Sequence, residues 1–239
     1  AIKEIFPDFL EDGFPIEAPV GEDWVEHLSQ KGSFRLPITP PPMQNHGNYI
    51  VSLNRVTSWL RDKAEALGVD VYAGFAVASI RYGEDGKTVI GVQTRDAGVN
   101  AAGEKKATFE PGMNVAAGVT VFAEGTRGSL TKGLVRKLGL DAGKNHQLYE
   151  TGVKEIWEVP EKIGKDFLGK VNHTMGAPLG SSGYGGGFIY GLSNNRLAIG
   201  YVVGRDHKNP SLDPHALFVA WKQHPAVAKH LAGGKVVRY

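Results

Sequence analysis

Apolar and polar positions change rhythm several times along this chain. The clearest run is SLNRVTSWLRDKAEALGV, where Leu53, Val56, Trp59, Leu60, Ala64 and Leu67 recur at helical spacing. Gly68 follows as a capping glycine, so the spacing predicts one amphipathic helix. VDVYAGFAVASIRYGEDGKTVIGVQTRD then alternates as strands do, with GEDGK as the turn between two of them. AGVNAAGEKKATFEPGMN is a polar excursion. GVTVFAEG reads as a short, fully buried strand over 119–123 that ends in a turn, and SLTKGLVRKLGL follows Gly128 as a helix. This succession is α/β in character.

Residues 1–48 show no such period and are expected to be irregular. LPITPPPMQNHGN holds four prolines and a glycine, which favour extended or turn-like backbone over helix. Ile5, Phe6, Phe9, Leu10, Phe14 and Ile16 make the opening apolar. A core origin is the plainer reading of that cluster; a surface that meets a membrane or a partner is the other.

From about residue 151 the character changes again. TGVKEIWEVP, GKVNHTMGAPL, GGGFIYGL and NRLAIGYVVGRD are strand-like runs separated by turn chemistry, which predicts an antiparallel sheet in a second domain. DPHALFVAWKQHPAVAKHL is helical in pattern: Leu217, Val219, Ala220 and Trp221 precede Pro225, and Val227 and Leu231 follow it. No internal repeat is visible. GSSGYGGGFIYGL, residues 180–192, carries six glycines in thirteen residues. Ordering so much glycine costs entropy, so either something approaches this backbone closely or the segment is a loose loop.

Composition adds exclusions. With 239 residues, 41% hydrophobic and 22% charged, the chain is an ordinary globular one, sized for one large domain or two small ones. A net charge of +2 without Lys/Arg clusters gives no case for nucleic acid. The chain has no cysteine, so it supplies no disulfide, cysteine-bound zinc or iron–sulfur ligand. No apolar run is long enough to cross a bilayer, and the residues given hold no signal-peptide pattern. The opening at Ala1, without methionine, and the stop at GGKVVRY, where a strand starts, read as ends of a trimmed chain.

Chemistry is harder to find. Histidines 27, 46, 146, 173, 207, 215, 224 and 230 form no close ligand pair and read as surface or packed residues. Gly180-Ser181-Ser182-Gly183-Tyr184 fails the nucleophile-elbow pattern at Tyr184, and strand follows it instead of helix. No G-x-G-x-x-G or P-loop stands between a strand and a helix. VTVFAEGTRGSLTKGL, 119–134, is the more informative segment. A strand breaking at Ala123-Glu124-Gly125 ahead of a helix lets backbone N–H groups face a ligand, although a plain strand–turn–helix has the same signature.

Several stretches then converge. NHGNYIVSLNRVTSWLRDKAEALGVDVYAGFA, KATFEPGMNVAAGVTVFAEGTRGSLTK, YGGGFIYGL, AIGYVVGRDHKNPSLDP and WKQHPAVAKHLAGGK resemble, in order, the electron transfer flavoprotein–ubiquinone oxidoreductase family. The resemblance implies a membrane-associated flavoenzyme. It takes electrons from reduced electron transfer flavoprotein and passes them through FAD and a 4Fe–4S cluster to ubiquinone. The implied localisation is peripheral, on the bacterial cytoplasmic membrane or the mitochondrial inner membrane. The implied fold is α/β plus α+β: part of a glutathione-reductase-like FAD domain over 49–150, with an antiparallel-sheet quinone-binding domain from 1–48 and 151–239. The family's dinucleotide fingerprint and cluster cysteines are absent here, so the cluster ligands lie outside this chain.

Carried over residue by residue, the resemblance makes Ala123, Glu124 and Gly125 FAD contacts. Val77 sits on the strand whose backbone meets the adenine. Gly185 and Gly186 become the quinone-pocket glycines, whose missing Cβ atoms let a flat headgroup reach backbone N–H and C=O groups. Phe188 and Ile189 would line an apolar slot for the isoprenoid tail. No catalytic acid, base or metal ligand is assigned. Ser52 stands where the family often carries Arg, with Arg55 one helical turn on, and Gly187 where it often carries Ser. Two rival readings remain: a related flavoprotein reductase or hydroxylase acting on a prenyl lipid or aromatic substrate, and a non-catalytic lipid- or quinone-binding module.

Overall fold

The structure is a computed structural model and describes residues 2–180 and 183–239. It opens with a short helix α1 (Ile2–Ile5), then β1 (Ile16–Pro19), β2 (Glu22–Leu28), β3 (Ser33–Arg35), a 3-10 turn (Pro41–Met43), β4 (Tyr49–Val51) and α2 (Leu53–Ala66). Next come β5 (Val77–Tyr82), β6 (Val89–Thr94), β7 (Ala97–Val99), β8 (Lys105–Glu110), β9 (Asn114–Ala116) and α3 (Thr131–Leu138). The chain closes with β10 (Glu150–Glu158), α4 (Glu161–Phe167), β11 (Lys170–Gly176), β12 (Gly185–Leu192), β13 (Arg196–Gly204), α5 (Pro214–Gln223), α6 (Pro225–Leu231) and β14 (Lys235–Arg238).

These elements form two units. Gly68–His146 is one; the flanking segments, up to Leu67 and from Gln147, make the other. The helix α2 therefore goes with the flanking unit, where the sequence boundary at 49 had put it with the middle of the chain.

The flanking unit is built on a seven-stranded sheet in the order β14-β10-β13-β12-β11-β2-β3. Every pair is antiparallel except β11 with β2, which run parallel from Lys170↔Glu22 to Gly176↔Leu28. The predicted antiparallel sheet is thus mixed, and residues expected to be irregular supply two of its strands. WVEHL alternates too briefly to stand out alone, and neighbouring β11 fixes it as strand. Two consecutive residues with positive φ, Asn194 (59°) and Asn195 (53°), close the β12–β13 hairpin. That is the turn whose twist suits adjoining strands.

Side chains alternate across this sheet and fill two cores. Leu197, Ile199, Tyr201 and Val203 of β13 face the helices with Leu28 and Ile189. They pack there against Phe167 of α4, Phe218 and Trp221 of α5, and Val227 and Leu231 of α6. On the opposite face Val171, Leu192 and Ala198 pack with Val20 and Ile50 beside the β1–β4 ribbon. Asp213 caps α5, its Oδ1 accepting from the His215 N–H at 2.8 Å, and Pro225 separates α5 from α6 as the sequence predicts. The apolar opening takes the core reading only in part: Phe9 is buried and meets Phe14 and Tyr49 edge-on, and Phe6 and Phe14 meet Trp59 of α2, but Ile5 and Leu10 are exposed.

The Gly68–His146 unit holds the three-stranded sheet β5-β6-β9, the β7–β8 pair and α3. The polar excursion is therefore the source of three short strands. One expectation fails. Residues 119–123 form no strand, and Val119 and Val121 are more than four-fifths exposed. A run of five apolar-rich residues becomes a strand only where another strand offers rungs, and no described strand does so here. The helix α2 has its predicted bounds, with Gly68 at φ 85°, yet only Val56 of its apolar stripe is buried; Leu53 and Leu67 are exposed.

Candidate functional site

Two ladders part at one point in the large sheet, and a cavity of about 770 Å³ opens there. The β11–β12 ladder ends at Thr174↔Gly187. Beyond that rung β12 continues to pair with β13, to Gly185↔Val203, while β11 continues with β2, to Gly176↔Leu28. Gly185 and Gly186 therefore have a strand partner on the β13 side only. The cavity lies in this fork, lined among others by Val25, His27, Met175, Gly186, Phe188 and Val202.

Glycine is required here by the sheet itself. Gly185 has φ 153° and Gly186 φ 158°, a region that residues with a Cβ rarely adopt. A Cβ on Gly185 would strike the Val202 carbonyl, and one on Gly186 the Thr174 carbonyl. On Gly187 it would enter the Trp221 ring, whose indole N–H donates to Thr174 Oγ1 at 2.8 Å. The same hydroxyl accepts from the Gly187 N–H at 3.1 Å. Trp221 therefore leaves no room for a side chain at 187.

The structure brings Gly185, Gly186 and Phe188 together on the cavity wall. The Phe188 ring lies across Gly200, where a side chain would collide with it, and stacks on Tyr190 at 5.6 Å. Lys154 Nζ donates to the Tyr190 hydroxyl at 2.6 Å. Ile189, expected beside Phe188, points the other way and is fully buried under the helices. Strand alternation dictates that outcome. Ser181 and Ser182 of the failed elbow pattern lie outside the described residues.

Sequence reasoning passed over His27 and His173. Both line the cavity. His173 Nε2 and His27 Nδ1 are buried without a hydrogen-bond partner among the described residues. Burial pushes the His173 pKa below its ordinary value, partly opposed by Asp23, so the ring is neutral near pH 7. In KVNHTMG, His173 falls between Val171 and Met175 at period two, which places it on their face of the strand but does not mark it as a ligand contact.

The other candidates lie in the Gly68–His146 unit. Val77 begins the edge strand β5 and pairs with Thr94. Ala123, Glu124 and Gly125 form an exposed loop ahead of α3, with Gly125 at φ 79° and open space where a Cβ would be. The Glu124 carboxylate is already engaged. It accepts from Thr131 Oγ1 at 2.6 Å and from the N–H groups of Thr131 at 2.7 Å and Leu130 at 3.0 Å. These bonds hold its pKa down at about 2. The backbone of the loop, not this side chain, is what remains to meet a ligand. Arg55 is also committed, pairing at 3.0 Å with Glu17, whose carboxylate also accepts from the Ser193 hydroxyl. Among the described residues no group of three or more His, Cys, Asp or Glu side chains is placed to hold a metal.

Residues 149–239 match the family model described as ETF-QO, ubiquinone-binding. The whole chain aligns with the mitochondrial electron transfer flavoprotein–ubiquinone oxidoreductases of Mus musculus, at 47% identity, and Homo sapiens, at 46%. The Schizosaccharomyces pombe protein, named as a probable member, is 42% identical over the same span. The chain spans 39% of the length of the mouse and human relatives. Among solved structures, a geranylgeranyl bacteriochlorophyll reductase-like protein from Thermoplasma acidophilum matches with a TM-score of 0.61 at 14% identity, over 93% of this chain and 49% of that one. A flavin-dependent brominase matches at 0.58 and 17%, over 98% and 51%. These two likenesses concern the fold alone, a mixed α/β one.

Proposed function

We propose, from a chain that is a relative of the electron transfer flavoprotein–ubiquinone oxidoreductases along its whole length, that its large-sheet unit binds the ubiquinone headgroup in the β11–β12 fork. The observation that carries this reading is the cavity itself. It lies within the stretch matching the ubiquinone-binding family model and the strands beside it, and Gly185, Gly186 and Phe188 stand on its wall. A flat ring fits a slot whose walls are strand backbone and whose floor carries a phenyl ring. Met43 and Met175 add adaptable apolar contacts for a prenyl tail.

Gly68–His146 then belongs to the FAD domain, part of a glutathione-reductase-like fold. The exposed backbone at Ala123–Gly125 and the edge strand at Val77 suit close contact with such a cofactor, and exposed Val119 and Val121 suit a strand position that neighbouring strands cover. FAD, when bound, supplies the electron-carrying chemistry. A 4Fe–4S cluster does not fit the residues present, since the chain has no cysteine. Reduced electron transfer flavoprotein is the proposed electron donor and a membrane surface the proposed docking site. No described helix is long and apolar enough to cross a membrane.

The test uses the full-length protein and decylubiquinone. Val202→Phe puts a ring into the fork from β13 while leaving the glycines unsubstituted. We expect wild-type protein to bind decylubiquinone and Val202→Phe to weaken binding at least tenfold. Equal binding by the two would move the quinone away from this cavity.

A further inference from the structure

A neutral imidazole is both a hydrogen-bond donor and an acceptor, and a buried ring nitrogen without a partner is costly. Among the described residues four buried side-chain polar atoms lack partners, and two of them belong to the cavity histidines His27 and His173. A third, Asn172 Nδ2, belongs to a residue that does not line the cavity. His173 sits on β11 opposite Phe188 of β12 and Val25 of β2, one residue before the last β11–β12 rung, so it stands at the closed base of the fork. His27 lies two residues beyond Val25 on the same face of β2 and stacks on Phe34 at 5.2 Å.

The other donors on the wall are spent or peripheral. Ser29 Oγ donates to the Gly32 carbonyl at 2.9 Å and accepts from its N–H at 3.0 Å. Thr174 Oγ1 is turned to the helix-facing side of the sheet, where it accepts from Trp221 and Gly187. Gln30 and Tyr184 are exposed at the rim. What remains inside is imidazole.

We propose that His173 is the side chain that hydrogen-bonds a carbonyl oxygen of the ligand in this cavity, with His27 as the second imidazole flanking it. The assignment rests on the quinone reading above and adds to it a side-chain contact. A quinone oxygen only accepts hydrogen bonds, and His173 lines the cavity with a ring nitrogen that has no internal partner; that nitrogen, Nε2, is closed off in this structure, so the contact requires the ring to turn toward the cavity. Burial that keeps the ring uncharged also lets it lie against an apolar headgroup without an ion to desolvate.

The experiment measures the dissociation constant of decylubiquinone on the full-length protein for wild type, His173→Leu and His173→Gln. We expect His173→Leu to weaken binding about tenfold, the effect of one lost hydrogen bond, and His173→Gln, which keeps a donor, to stay within about threefold. Wild type that binds while His173→Leu binds equally well overturns the histidine assignment alone. Wild type that does not bind overturns the quinone reading, and the histidine assignment with it. A measurement independent of variant folding uses wild-type protein labelled with 15N-histidine. The His173 nitrogen signal, assigned by its absence in His173→Gln, is expected to move when decylubiquinone is added. An unmoved signal overturns the assignment.

Discussion

The two units treat the same kind of sequence in opposite ways. In the large-sheet unit, alternating apolar residues find helices on one face and a ribbon on the other, so Ile189, Leu197, Ala198 and Ile199 have no exposed surface. In Gly68–His146 alternation is as clear, yet Leu134 is the only described hydrophobic side chain counted as buried, and Val71, Tyr72, Phe75, Met113, Val119 and Val121 are exposed. Pattern declares which residues want to be inside. Whether they get there depends on what the rest of the fold supplies as a second layer.

The sharpest test of that contrast is a matched pair of core and surface changes. Trp221→Ala empties the helical core beneath Gly187 and Thr174 and is expected to cost about 3–5 kcal/mol in chemical denaturation. In this chain alone, where Val121 is exposed, Val121→Ser is expected to change stability by less than about 0.5 kcal/mol; in the full-length protein, where the proposed FAD domain would cover it, the loss should be larger. A large loss from Val121→Ser in this chain alone would mean that the loop packs in solution, and would break the comparison.

A smaller effect belongs to Glu17, which ties the β1–β4 ribbon to the large sheet. Its buried carboxylate bonds Ser193 of the β12–β13 turn and Arg55 of α2. Burial pushes its pKa up, but Ser193 and Arg55 more than offset this, and the net shift is downward. Glu17→Ala is expected to cost about 1–3 kcal/mol, from hydrogen bonds lost by groups left in place. The readout is the thermal midpoint, with amide exchange in β1 and β4 rising first.

Acid should separate the units further. The pKa of His173 is lowered, by burial, with Asp23 opposing; that of His230 is lowered by burial and then by Lys229. An unfolded histidine titrates near 6.5. As pH falls through about 6.5 the unfolded chain takes up protons that the folded sheet resists, so stability declines; above about pH 7.5 these groups contribute no slope. Thermal midpoints at pH 7.5, 6.5 and 5.5 should fall in that order, and less steeply in a His173→Gln, His230→Gln double variant. The smallest effect is expected at Glu124. Glu124→Ala should speed amide exchange in the first turn of α3 and leave the large sheet unchanged, and with a pKa of about 2 the wild-type cap should persist at pH 4.

Much of the fold was legible because it is local. The bounds of α2, the break at Pro225 and the strands after residue 151 follow from spacing and turn residues. The parallel β2–β11 pair was not, because WVEHL becomes a strand only through a partner far along the chain. The site was legible through its glycines, by resemblance, but for an incomplete reason. Gly185 and Gly186 are needed first to let three strands pass carbonyl against Cα, and the opening for a ligand follows from that. His173 went unremarked because a lone histidine in a strand carries no spacing signal; only its unpartnered nitrogen, visible in three dimensions, marks it.

The fork has a mechanical meaning as well. Its two walls are each zipped along the outer side, β12 to β13 and β11 to β2, so the gap between them is a gauge set by main-chain rungs. Changing the gauge means breaking rungs, while exchanging a side chain changes only what projects into it. On the quinone reading proposed above, selectivity for a thin, planar guest would be a property of the weave, with Met43, Met175 and Tyr184 around the mouth left to meet different tails.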